Sequence, residues 1–102
     1  MIISYVDTAT EDIYNERSTR EAKDLLPLGL WGKAKRLLNY IDGPNCIQQL
    51  NDLPTVRLHR LTKDKHLIGL FAIRIDGKYR ITFHYDSKSD TASDVSINNH
   101  YR

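Results

Sequence analysis

Cysteine is nearly missing from this chain of 102 residues: it occurs once, as Cys46. A single cysteine excludes an internal disulfide and leaves no Cys-x-x-Cys pair for structural zinc. The chain therefore suits a reducing compartment, and a cytoplasmic location is expected. No apolar run approaches the roughly 18 residues that a membrane span needs, so no membrane association is expected. The start, MIISYVD, has neither a basic stretch nor an apolar core, so it does not read as a secretory signal. Internal repeats and low-complexity tracts are also lacking, and no metal-ligand cluster is visible. No metal or cofactor is expected. The composition that remains is that of an ordinary globular protein, 27% charged and 40% hydrophobic. This length predicts one domain, residues 1–102, able to bury roughly two-thirds of its unfolded surface.

What the chain does have is charge of one sign in one place. The formal net charge is only +2. From Arg57 to Tyr85, however, seven basic residues (Arg57, Arg60, Lys63, Lys65, Arg74, Lys78, Arg80) meet two acidic ones (Asp64, Asp76), a local net of +5. Residues 1–56 carry −2 and residues 86–102 carry −1. Such concentration points to a polyanion such as nucleic acid, or to an acidic protein partner. The same stretch holds His59, His66 and His84.

Residues 2–6 suit a short strand. Asp7-Thr8 or Thr10 can cap a helix through Thr8–Asn15, with Glu11 and Asp12 at the positive end of its dipole. Residues 16–26 are charged and fit either a loop or a second helical piece. Pro27 suits a first helical turn. From there Leu28, Trp31, Leu38 and Ile41 recur at helical multiples while Lys33, Lys35, Arg36 and Asn39 stay polar. That is an amphipathic helix, ended by Asp42-Gly43-Pro44. Residues 45–51 can add another turn, and Pro54 breaks the chain.

The second half changes period. Val56, Leu58 and Leu61 form a short strand-like run. Gly69–Ile75 and Lys78–Tyr85 read as strands joined by Asp76-Gly77, a strong two-residue hairpin signal. Ser87–Ser93 reads as a polar loop and Asp94–Asn98 as a last strand. Helices followed by strands predict an α+β fold: N-terminal helices packed on one face of an antiparallel sheet of about four strands, with a basic open face. Alternation puts Tyr79, Ile81, Phe83 and Tyr85 on the core face, and Arg80, Thr82 and His84 on the open face. A two-residue turn places Arg80 opposite Ile73 and Arg74 opposite Tyr79, so the two arginines fall on opposite faces. It also turns Ile73 and Ile75 outward. A longer turn or a bulge would reverse that parity.

Five motifs in order resemble the HigB-type toxins of the RelE/ParE superfamily, also called plasmid-maintenance killer proteins. ISYVDTATEDIY is similar to the family's IxSFxDxxTEDIF start, and LPLGLWGKAKRLLNYIDG to LPxxLWxxAxRxLxxLxxA. LNDLPTVRLHRLTKD is similar to LxxLPxxRLHxLKG, GLFAIRIDGKYRITFHY to the hairpin pattern, and DVSINNHY to DVeIvDYH. The resemblance covers nearly the whole chain. It implies a small RelE/ParE-like domain and an endoribonuclease that cuts mRNA in the ribosomal decoding site. It also implies a cognate antitoxin, often a helix-turn-helix (HigA-like) protein.

RNA cleavage without metal uses the substrate's own 2′-hydroxyl. A base takes its proton, a cation stabilises the charge on phosphorus, and an acid protonates the leaving 5′-oxygen. The resemblance places Arg80 on the family's hairpin arginine, where it can grip the scissile phosphate. His59 falls on the histidine of the RLH motif and can exchange protons near neutral pH. His100 and Tyr101 fall at the family's terminal Tyr-His in reversed order, and either register can be drawn; Asn99 takes the place of an aspartate or of the tyrosine. The family's lysine is replaced by Thr62, with Lys63 or Lys65 as substitutes. Arg57, Arg60 and Arg74 supply groove charge. Trp31, Leu38, Phe71 and Phe83 belong to the core, His66 and His84 to the exposed surface, and Cys46 is no nucleophile. Three other readings stand beside the nuclease. They are a gyrase poison of the same superfamily, a degenerate toxin that only binds its antitoxin, and a basic RNA-binding domain without activity.

Overall fold

A computed structural model describes residues 1–53, 56–61 and 68–99. Helix α1 spans Thr8–Tyr14, α2 Arg20–Leu25, α3 Trp31–Asp42 and α4 Cys46–Asn51, with a short 3-10 turn at Leu28–Leu30. Strands β1 (His59–Arg60), β2 (Ile68–Arg74), β3 (Arg80–Asp86) and β4 (Thr91–Asn98) form one antiparallel sheet in sequence order. The α+β architecture expected from the sequence is the one observed.

The helices start where their caps put them. The Asp7 carboxylate accepts from Thr10 N at 2.8 Å and the Thr19 hydroxyl from Ala22 N at 3.3 Å, each filling an orphan donor of a first helical turn. Helix α3 buries Ala34, Leu37, Leu38 and Ile41. They meet Ile73, Ile75, Ile81, Phe83, Val95 and Ile97 from the sheet in one core. Each large aliphatic side chain so buried contributes roughly 1.5–3 kcal/mol. Helix α1 is tied to the sheet by the buried Thr10, whose hydroxyl accepts from Ile97 N at 3.1 Å.

Several local expectations need correction. Residues 2–6 are not a strand; they touch β4 through two isolated parallel bridges, Ile2 with Ala92 and Tyr5 with Val95. Ile2 N turns instead to the Asp42 carboxylate at 2.8 Å. Leu28 is not part of the α3 apolar stripe: it sits in the 3-10 turn and is 60% exposed. The run at 56–61 narrows to His59–Arg60, because Arg57 adopts a left-handed φ of 52°. Strand β4 begins at Thr91 rather than Asp94, with a register shift opposite Thr82–His84. Asp94, at φ 50°, is the outturned residue of that bulge, and Val95 returns to the core.

The largest correction concerns the hairpin. Arg74 pairs with Arg80 and Ile73 with Ile81, so five residues, not two, separate the paired ends. Asp76 explains this. Its carboxylate accepts from Tyr79 N at 2.7 Å and Lys78 N at 2.9 Å, and Ile75 N donates to Tyr79 O at 3.0 Å. A two-residue turn of the favoured kind needs positive φ, and Gly77 does not have it. The side-chain turn at Asp76 wins. The parity reverses: Ile73 and Ile75 enter the core, and Arg74 and Arg80 share the open face.

Candidate nucleic-acid interface

The sheet now brings together residues that a two-residue turn would have separated. Strand pairing aligns His59 with Ala72, Ala72 with Thr82, and Arg74 with Arg80, all on the face away from the helices. A cleft of about 230 Å³ opens there, lined by Arg57, His59, Ala72, Ile73, Arg74 and Arg80. Ala72, 1% exposed, lies beneath it. Among the described residues, no carboxylate lines this cleft, and none of Arg57, Arg74 and Arg80 forms an ion pair.

Each cation is held through its backbone or its Nε. Val56 O accepts from Arg74 N at 2.7 Å, one residue off a regular ladder, and the left-handed turn at Arg57 absorbs the extra residue. That turn aims the Arg57 carbonyl at His59 Nδ1, 3.0 Å away. A carbonyl only accepts, so Nδ1 carries the proton. In the neutral ring Nε2 is then the unprotonated nitrogen, able to take a proton. Arg74 Nε donates to Asp76 O at 3.0 Å, which fixes its guanidinium against its own turn. Arg80 Nε donates to Asn98 Oδ1 at 3.2 Å across the β3–β4 pair. The Asn98 amide donates in turn to the hydroxyls of Thr82 at 3.0 Å and Ser96 at 3.4 Å.

Arg74 and Arg80 are direct cross-strand neighbours, and like charges so placed repel. An anion between them would relieve that repulsion, and a phosphate accepts from two guanidinium groups at once. Three arginines and a histidine around one apolar-floored cleft can bind a phosphodiester. The His59 Nε2 can exchange a proton beside it.

Not every residue singled out in the sequence arrives at this cleft. Arg60 faces the other way: its guanidinium lies 5.8 Å from the Phe71 ring centroid. It crosses so close to Gly69 that a Cβ there would meet Arg60 Nε at 2.7 Å. The strand alternation that brings His59 to the cleft turns its neighbour Arg60 away. His84 is half-buried on the open face rather than exposed, aligned with Leu70 and Ser93. Asn99 is exposed just after β4. Lys63, Lys65, His66, His100 and Tyr101 lie outside the described residues.

The sequence reading put Thr82 on the open face but missed its role, and it missed Asn98 and Ser96 at the site. The signal was within reach for Asn98, which is one turn of alternation from Ser96 on a strand that pairs with Arg80. It needed the register of β4, which the bulge obscures. Cys46 is buried, and burial pushes its thiol up to about 11, far from a nucleophile's range. Among the described residues, no group of three His, Cys, Asp or Glu is placed to hold a metal ion. No helix among them is long and apolar enough to cross a membrane. No protein-family model matches the chain, and no curated protein matches it closely enough to count as a relative.

Proposed function

We propose that this chain is the toxin of a type II toxin–antitoxin system and a ribosome-dependent mRNA endonuclease, as its resemblance to HigB-type toxins implies. The observation that carries the reading is the Arg74–Arg80 pair, joined by Arg57 and His59 around a cleft that no carboxylate lines among the described residues. A 2′-hydroxyl oxygen attacks the neighbouring phosphorus, and His59 Nε2 takes its proton. The arginines stabilise the negative charge that accumulates on the phosphoryl oxygens. The bond to the 5′-oxygen breaks, and that oxygen leaves with a proton from an acid; His100 and Tyr101 are the candidates from the sequence. Arg57 and Arg74 hold the backbone, and the resemblance adds Lys63 or Lys65 to them. The cognate antitoxin, a HigA-like helix-turn-helix protein, keeps the toxin from the ribosome.

The test is growth after induced expression in cells, wild type against Arg80→Ala, with mRNA ends mapped by primer extension. Growth arrest with new codon-phased ends, both lost in Arg80→Ala, is the expected result. Arrest without new ends would sink the nuclease and point to gyrase, which a supercoiling assay then checks. No arrest from soluble protein would leave a module that only binds.

A further inference from the structure

The Arg80 guanidinium is anchored by a side chain, where that of Arg74 is anchored by a backbone carbonyl. We infer that Asn98 is a positioning residue for Arg80, and that its neutrality is the property that matters. This rests on reading the cleft as a phosphate site. Arginine only donates, so Asn98 must present Oδ1 to Arg80 Nε, 3.2 Å away. Its Nδ2 therefore faces inward along the sheet, where the Thr82 and Ser96 hydroxyls receive it. Two hydroxyls on two strands fix the amide, and the amide fixes the Nε edge of the guanidinium. The terminal nitrogens keep the edge that grips a phosphate. Preorganisation of this kind lowers the ordering cost of binding.

A carboxylate would make the same hydrogen bond. The Thr82 and Ser96 hydroxyls can rotate to donate to it, so the fold would tolerate Asn98→Asp. The charge would not be tolerated, since a fixed anion beside Arg80 neutralises the cation that the phosphate needs. Asparagine orients the guanidinium without discharging it. Asn98→Asp thus separates orientation from charge, while Asn98→Ala removes orientation alone.

The experiment measures binding of a short single-stranded oligoribonucleotide methylated at every 2′-hydroxyl, so that cleavage does not enter. Fluorescence anisotropy over a series of salt concentrations gives affinity and salt slope for wild type, Arg80→Ala, Asn98→Ala, Asn98→Asp and the Arg80→Ala/Asn98→Ala double variant. Thermal melts check that each is folded. Asn98→Ala is expected to weaken binding roughly fivefold, and to add nothing in the Arg80→Ala background. Asn98→Asp is expected to weaken binding further and to lower the salt slope by about one, as Arg80→Ala does. Equal losses for Asn98→Ala and Asn98→Asp, with the double variant weaker than Arg80→Ala alone, would mean a merely structural role and overturn the inference. Loss in Arg80→Ala with none in either Asn98 variant would overturn it while leaving the cleft intact as a phosphate site. If Arg80→Ala binds as wild type does, the phosphate reading of the cleft fails, and the inference with it.

Discussion

At the scale of single residues, Arg57 carries the sharpest tension. It is a non-glycine residue held at φ 52°, a conformation that costs an L-residue about 1–2 kcal/mol. The fold accepts this because the kink does two things. It absorbs the extra residue between β1 and β2, and it points the Arg57 carbonyl at His59 Nδ1, which leaves Nε2 as the basic nitrogen. Strain retained where charged side chains gather around a cleft has a recognised logic. Comparing Arg57→Gly with Arg57→Ala isolates it, because both lose the same charge and only glycine relaxes the backbone. Arg57→Gly should be more stable than Arg57→Ala by about 1 kcal/mol in urea denaturation. Oligonucleotide affinity should fall equally in both. Equal stability of the two would mean that the backbone at 57 is not strained.

At the scale of elements, the hairpin decides which arginines meet. Asp76 accepts two backbone N–H groups inside the loop, first from Tyr79 and then from Lys78, and these bonds hold its carboxyl below the usual aspartate range. Removing both in Asp76→Ala should cost about 1–2 kcal/mol, with Asp76→Asn losing less because its amide oxygen still accepts. The proposed RNA cleavage should fall in the same order, since the loop sets the register of Arg74 against Arg80. Activity that follows charge at position 76 instead, with Asn as poor as Ala and stability unchanged, would contradict this account. The hairpin also shows where sequence reading ends. The β2 and β3 strands, the helix cap at Asp7 and the stop after Asp42 were legible, because each rests on local chemistry or on a clear period. Asp-Gly named the turn but not its length. Two structures compete for that dipeptide, and the choice depended on burying Ile75, which is a tertiary matter. Arg80 and His59 could therefore be named in advance, while the partnership of Arg74 with Arg80 could not. Asn98 was hidden for the same kind of reason, behind a bulge at Asp94 that no periodicity announces.

At the scale of the whole molecule, the carboxylates and the arginines do different work. Asp42 accepts from Ile2 N and from the Tyr14 hydroxyl, and Asp90 from Asn45 N and the Tyr85 hydroxyl, each joining segments far apart in sequence. Neither lines the basic cleft. These two carboxylates thus serve as fasteners away from the cleft, and such groups make stability depend on pH at both ends. Asn45 N, and then the Tyr85 hydroxyl, hold the Asp90 carboxyl below its usual range, as the turn does for Asp76. A carboxylate with a depressed folded-state pKa stabilises the fold above its unfolded value of about 3.9 and loses that contribution as pH falls through the folded value. Burial first, and Asp42 second, push Tyr5 and Tyr14 up to about 12, and burial with the Asp90 bond raises Tyr85 as well. A raised phenol has the opposite sign. Its contribution is complete below the unfolded value near 10 and is lost as pH climbs through the folded one. Melting temperature should therefore be flat between about pH 5 and about pH 9, and fall on both sides. Tyr85→Phe should melt lower at neutral pH, having lost its bond to Asp90, yet decline less steeply above about pH 10, because one raised phenol is gone. Asp90→Asn should do the same to the acid limb. An alkaline slope unchanged in Tyr85→Phe would show that the phenol titrates alike in folded and unfolded chains, against the raised value that burial and the Asp90 bond give it.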